Sequence, residues 1–178
     1  MPGSSSTEPA EGTDMGPDSH DTAGARWLEL VRRYYDGCSA GDVALTAATL
    51  HPEVEHFFLA PNQGSAPVRG AQHLARYWRK VQGMIEARWV VDRICAGEAQ
   101  AVIEWTMFWR PTGGAQRVAT RGAEWFAFED GLIREIRSYY QMRPETSELE
   151  GFPYAARGYS VPGAEHSALH PAAGAAPP

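Results

Sequence analysis

The chain has 178 residues, a length for one domain with tails, and its 43% hydrophobic and 11% aromatic content is enough to build a core. Its 22 acidic against 16 basic side chains leave a formal net charge of −6, which excludes nucleic acid and anionic membrane as main partners. No apolar run approaches a membrane span, and the opening MPGSSSTEPAEGTDMGPDSHD is acidic and lacks the hydrophobic stretch of a secretory signal, so the expected location is the cytoplasm.

Residues 1–21 are rich in Ser, Gly, Pro and acid and are expected to be disordered. A first helix is predicted from about Thr22 to Ser39, with Trp27, Leu30, Val31, Tyr34 and Tyr35 at helical spacing. Gly41-Asp42 breaks the chain, and Asp42 is a candidate N-cap for the short helix VALTAATL. HPEVEHFFLA reads as a strand in which Val54, His56 and Phe58 alternate with Glu55 and Phe57. Residues 60–69 read as a loop, and a third helix from about Gly70 to Ile85 carries Leu74, Tyr77, Trp78 and Val81 on one side.

Four strand-like runs follow: ARWVVDRICA, QAVIEWTMFWR, RVATRGAEWFAFED and LIREIRSYYQM. They are punctuated by Gly97-Glu98, Pro111–Gly114 and Asp130-Gly131, links short enough for antiparallel neighbours. The pattern is α+β, with a strongly curved antiparallel sheet folded over N-terminal helices into a cone that encloses a pocket. The domain is expected over residues 22–142. Residues 143–178 form an extension, aromatic to about 160 (Phe152, Tyr154, Tyr159) and disordered after it; the aromatic part should dock over the pocket mouth or onto a partner subunit.

Strand alternation sorts the faces. On QAVIEWTMFWR the uniformly apolar face is Ile103, Trp105, Met107 and Trp109, which leaves Glu104 outside as a cross-strand partner for an arginine. On EWFAFED, Glu124, Phe126 and Phe128 share one face. His56 shares its face with Val54 and Phe58 and points inward, where a neutral imidazole can relay a proton or orient an oxygen. Ile136, Ser138 and Tyr140 share a face, with Tyr140 a pocket donor, while Glu135 and Arg137 form an outer ladder. Cys38 and Cys95, the only cysteines, have no zinc or disulfide spacing. His51 and His56 lie five apart, so alternation parts them and no metal is expected. No cofactor motif is present.

YYDGCSAGDVALTAATLHPEVEHFF, VRGAQHLARYWRKV and RGAEWFAFEDGLIREIRSYY, in that order, resemble the SnoaL-like members of the nuclear transport factor 2-like superfamily, over about residues 25–141. The resemblance implies the cone fold and a family of small cyclases, isomerases, dehydratases and epoxide hydrolases, alongside non-catalytic relatives. Its cyclases carry a catalytic acid seven residues before the DG turn glycine, which is Glu124 here. A desolvated carboxyl there is tuned for acid–base work near neutrality. Ketosteroid isomerases place an oxyanion-donor tyrosine at the position of Tyr34 but their base at Phe58, so that pair is broken. Limonene-epoxide-hydrolase relatives have an aspartate where Ser138 stands, so that triad is incomplete.

The implied function is a cofactor-independent cyclase, isomerase or dehydratase of secondary metabolism. Its substrate is an apolar oxygenated small molecule such as a polyketide-type intermediate. Glu124 is the acid/base, with His56, Tyr34 and Tyr140 as polarising groups. Phe58, Tyr77, Trp78, Trp105, Trp109, Phe126 and Ser138 line the substrate site. The alternatives are a binding or dimerisation module of the same fold and an epoxide-opening hydrolase. A homodimer through the outer sheet face is implied by the resemblance alone.

Overall fold

The computed structural model describes residues 18–58, 66–140 and 148–172. Helix α1 spans Asp18–Ala40, α2 Val43–Ala47 and α3 Ala71–Ile85. The strands are β1 (Leu50–Phe58), β2 (Val68–Arg69), β3 (Arg88–Ala96), β4 (Gln100–Trp109), β5 (Val118–Glu129) and β6 (Leu132–Tyr140). They form one sheet in the order β2-β1-β6-β5-β4-β3, open at both ends. The expected α+β architecture is present. One correction concerns direction: β1 runs parallel to β6, because the chain crosses back through α3 before the antiparallel β3–β6 meander begins. The sheet curves so that its two sides both meet helices, α1 against β3 and α3 against β1.

Helix α1 buries Trp27, Val31, Tyr34, Tyr35 and Cys38, a stripe at helical spacing. It begins four residues before the predicted Thr22, which corrects the expectation of disorder for 18–21; residues 1–17 lie outside those described. Trp27 stacks on Phe128 at 3.9 Å and donates its indole N–H to the Gly97 and Glu98 carbonyls, fastening the helix across the sheet. A Cβ on Gly37 would lie 2.5 Å from Thr46 Oγ1, so glycine is what lets α2 close against α1. Asp42 caps α2 as expected, accepting the Leu45 N–H at 2.9 Å. The Asp130-Gly131 turn takes positive φ at both residues (51° and 78°), the two-residue hairpin geometry that joins β5 to β6. Val68–Arg69, expected as loop, is instead a two-residue strand beside β1, where Val68 is buried and Arg69 pairs with Glu55.

The largest departure lies at the C-terminus. Residues 161–172, expected to be disordered, are ordered against the outer sheet face, while 173–178 lie outside the described residues. Among the described residues of the extension, Phe152, Tyr154 and Tyr159 line a surface pocket with Glu104, Trp105 and Arg121. Ser160 N–H donates to Asp92 Oδ1 at 2.7 Å, and Arg117 pairs with Glu165 at 2.8 Å. Ser167 Oγ donates to the Val91 carbonyl at 2.5 Å, and Val91 N–H donates to His170 Nδ1 at 3.1 Å. β3 is an edge strand, and these last two bonds occupy edge groups that would otherwise stay open. His170 then holds Asp36 of α1 through Nε2 at 2.9 Å. On this face Val90, Phe108 and Ala119 form a second buried cluster. The cue was present in composition but weak: small residues and prolines read as low complexity, while the anchors are single serines and histidines.

His170→Ala removes the acceptor for a buried N–H and should cost about 1–3 kcal/mol. It should also raise hydrogen exchange at the Val91 amide. An unchanged Val91 exchange rate would mean that the extension is not seated there.

Candidate active site

The parallel register of β1 on β6 sets Phe58 opposite Ser138, and the antiparallel register of β5 on β6 sets Glu124 opposite Ser138. His56, Ser138 and Glu124 therefore stand in a row on the concave face, from three adjacent strands. All are buried, at 0%, 1% and 4% exposure. Ser138 Oγ donates to Glu124 Oε1 at 2.5 Å, and His56 Nε2 lies 2.5 Å from Ser138 Oγ. Tyr35, reaching down from α1, donates its hydroxyl to Glu124 Oε2. The direct His56–Glu124 approach is 3.8 Å, so serine is the link between them.

Burial pushes the Glu124 carboxyl up to about 7, against the bonds from Ser138 and Tyr35, which lower it. Burial pushes the His56 imidazole down to about 3, so it is neutral and the pair is not an ion pair at ordinary pH. Burial, reinforced by the Glu124 charge, raises the Tyr35 hydroxyl well above its usual value and keeps it a donor.

Glu124 also lines a cavity of about 300 Å³. Its walls are Tyr77, Trp78, Val81 and Ile85 from α3, Trp89 from β3, and Trp105 and Met107 from β4, with Tyr140 from β6. Trp105 and Tyr140 meet at 5.6 Å across Gly122, where a Cβ would lie 2.5 Å from the indole and 2.8 Å from Tyr140 Cβ. A glycine on the inner face of β5 thus gives this wall its shape. Among the described residues, Glu124 is the only acid lining this cavity.

The sequence-predicted site residues divide accordingly. Glu124, Tyr77, Trp78, Trp105 and Tyr140 meet at the cavity. His56 and Ser138 stand behind Glu124 rather than in the wall, with Phe58 stacked on His56 at 4.3 Å. Phe126 is fully buried beneath the edges of Tyr34 and Tyr35. Trp109 lies away from the cavity and bonds Thr120 at 2.9 Å. Tyr34 does not bond Glu124; its oxygen accepts the Trp78 N–H at 2.6 Å. Its neighbour Tyr35 holds the carboxyl. Both tyrosines lie on the buried stripe of α1, and only the seating of the helix decides which reaches β5. Glu104 faces outward as expected and sits opposite Arg93, but its carboxylate accepts the Tyr159 hydroxyl. Among the described residues, His51, Glu129 and Asp130 bring possible metal-ligand atoms within 4.8 Å of one another, though Glu129 already pairs with Arg134.

Residues 31–136 match the family model described as a SnoaL-like domain. A protein of unknown function with a cystatin-like fold from Methylobium petroleophilum PM1 is 35% identical; the match covers 78% of this chain and 93% of that one, with a TM-score of 0.58. An LEH-like epoxide hydrolase from M. tuberculosis is 22% identical, with coverage of 68% and 86% and a TM-score of 0.55. A putative polyketide cyclase from Xanthomonas campestris pv. campestris is 21% identical, with coverage of 67% and 93% and a TM-score of 0.57. The last two share the fold. No curated protein matches the chain.

The pH dependence of folding reports on the site. Between about 4.5 and about 7 the folded Glu124 holds a proton that the unfolded chain has released, so its contribution to stability falls as pH rises, by roughly 3 kcal/mol in all. His56 acts oppositely: the unfolded chain takes a proton at about 6.5 and the fold only at about 3, so stability falls as pH drops through that window. Glu124→Gln removes only the first effect. Its stability relative to the parent should therefore climb between mildly acidic and mildly alkaline pH in urea unfolding. A difference independent of pH would contradict a buried, raised carboxyl.

Proposed function

Because the chain belongs to the SnoaL-like domain family, we propose that it is a cofactor-independent acid–base enzyme, a cyclase, isomerase or dehydratase acting on an apolar, oxygenated small molecule. The observation that carries this reading is Glu124. Its carboxyl is poised at about 7, held by two hydroxyl donors, and set in the wall of an aromatic cavity. A base with that affinity can take a proton from carbon or oxygen and return it as an acid without a large penalty in either direction. The donors from Tyr35 and Ser138 fix the carboxyl's plane, so its remaining lone pairs are presented in one orientation.

The cavity volume corresponds to roughly ten water molecules, the size of a one- or two-ring compound. Three tryptophans, a methionine and two tyrosines around it favour a flat, apolar body. With serine at position 138, the epoxide-opening alternative lacks the second carboxylate its triad needs. For the homodimer implied by the resemblance, the outer-face surface this reading offers is the one where Trp125 and Tyr139 stand 37% and 48% exposed.

Trp78, Trp89 and Trp105 make binding visible as a change in tryptophan fluorescence. A panel of one- and two-ring ketones in D2O should contain members that quench and that gain deuterium at the carbon beside the carbonyl. Glu124→Gln should keep the quenching and lower deuterium uptake by about 10²–10⁴-fold. Binding with no Glu124-dependent exchange would leave a ligand-binding module in place of an enzyme.

A further inference from the structure

We propose that the aromatic cavity in front of Glu124 is a receptor for an alkylated ammonium group, so that the ligand carries a tertiary or quaternary amine on its apolar body. The inference rests on the reading of this cavity as the substrate site and names a group that the substrate brings to the carboxyl.

Charge leads to it. Among the described residues that line the cavity, Glu124 is the only one with an ionisable acid or a cation. No arginine or lysine contributes at its carboxyl, which is held only by the neutral donors Ser138 and Tyr35. As a carboxylate it is therefore a buried anion without a counter-ion. Each oxygen accepts one hydroxyl and has a further lone pair to offer. An anionic ligand would be repelled here, and a neutral one would gain contact area alone. A cation completes the pair.

The walls select the kind of cation. Tyr77, Trp78, Trp89, Trp105 and Tyr140 surround the cavity. Neighbouring rings meet steeply, Tyr77 on Trp78 at 74°, Trp78 on Trp89 at 69° and Trp105 on Tyr140 at 59°. They form the sides of a box rather than a flat stack. Trp78 gives its indole N–H to Tyr34, which leaves its ring as what it offers a ligand. Aromatic faces attract a cation held within about 6 Å, the more strongly where water is excluded. A hard metal ion needs several oxygen ligands, and this wall supplies one carboxylate. An unsubstituted ammonium is strongly hydrated and would have to shed that water. An alkylated ammonium spreads its charge over C–H groups that fit against rings.

Binding then sets the charge of Glu124. In the empty cavity the carboxyl holds its proton up to about 7. A cation favours the carboxylate, so a proton leaves for solvent as the ligand enters, and the net charge of the site is unchanged. An arginine would hold the carboxyl ionised permanently. A ligand cation does so only while bound, and so presents the base form to the substrate. From α1, Tyr34, Tyr35 and Cys38 are held protonated by burial. From β1, His56 is held neutral, and from α3, burial raises Tyr77. None of these changes charge near 7.

Two probes of nearly equal size, tetramethylammonium and tert-butanol, separate charge from shape. Each is titrated into the parent protein at fixed sodium chloride, with tryptophan fluorescence reporting occupancy and NMR of the Glu124 carboxyl carbon reporting its protonation. Tetramethylammonium should bind about tenfold or more tighter above the Glu124 midpoint near 7 than well below it. At saturation it should lower that midpoint by about one unit or more, the same coupling read from the other side. Neither effect should appear with tert-butanol. Glu124→Gln should bind the cation with an affinity independent of pH and no higher than the parent's acid-side value. Should that variant not fold, the two probes on the parent still decide. Equal affinity for the two probes above the midpoint overturns the proposal, as does a midpoint that saturating tetramethylammonium leaves in place. Glu124-dependent deuterium exchange into neutral ketones without a preference for the cation would remove the ammonium group and leave the acid/base reading. Cation preference without exchange would leave a receptor for organic cations and remove the enzyme.

Discussion

The structure turns on a carboxyl group that is kept from water without being given a cation. Burying Glu124 is costly unless its charge is paired or its oxygens are hydrogen-bonded. An arginine would have solved the burial and destroyed the chemistry, because a neighbouring guanidinium holds a carboxylate ionised. The fold uses neutral donors instead, Tyr35 from the helix and Ser138 from the next strand. They satisfy the oxygens and leave the proton affinity high. The arginines sit elsewhere: Arg69 with Glu55, Arg88 and Arg117 with Glu165, Arg110 with Glu86, Arg121 with Glu148 and Arg134 with Glu129. Segregating cations from the concave face is what makes a raised carboxyl possible there.

Asp92 provides the internal contrast. It too is buried, and burial raises its affinity for a proton. Yet it accepts the Ser160 N–H and the Thr106 hydroxyl, with Arg121 at 3.9 Å. Each partner favours the charged form, and the group serves to hold the extension on the sheet. Two buried acids of one small domain thus have different work because one is given a cation and a backbone donor and the other is not. The extension has a further consequence for β4. Thr106 and Phe108 on its outer face are as buried as Trp105 and Met107 on its inner face. A strand covered on both sides loses the polar alternation that marks a solvent-facing sheet.

What the sequence made legible follows from which signals are local. Helix stripes, the Asp42 cap and the Asp130-Gly131 turn depend on neighbours within a few residues, and they appear where the spacing puts them. The inward phase of Trp105 and Tyr140 is also legible, because alternation is local; that of Glu124 came from the family resemblance laid over the alternation, and it holds because the irregularity in β5 falls at Ala127/Phe128, beyond Glu124. The choice between Tyr34 and Tyr35 was not, since both lie on the buried stripe and helix rotation against a distant strand decides it. Ser138 looked like a lost aspartate in isolation. Its meaning depends on two registers, β1 on β6 and β5 on β6, that no local window contains. The seat of residues 161–172 is likewise set by partners such as Asp36 and Val91, far away in the chain.

The two Glu-Trp pairs, Glu104-Trp105 and Glu124-Trp125, show how much a single register decides. In the β4–β5 ladder Ile103 opposes Glu124, Glu104 opposes Ala123 and Trp105 opposes Gly122. Odd-numbered residues of β4 therefore face even-numbered residues of β5, and directly opposed residues share a face. Two glutamates with even numbers, one on each strand, must then point to opposite sides of the sheet. Glu104 goes out to meet the Tyr159 hydroxyl, and Glu124 goes in to the cavity. The same rule sends Trp105 inward and Trp125 outward, and it places Gly122 directly across from the Trp105 indole, the one residue type that leaves it room. A one-residue slip in this ladder would exchange the faces of one strand against the other. Trp125 would then crowd the cavity and the carboxyl would face solvent, where nothing would raise its affinity for a proton. The register between β4 and β5 is thus a condition for the chemistry as much as for the packing.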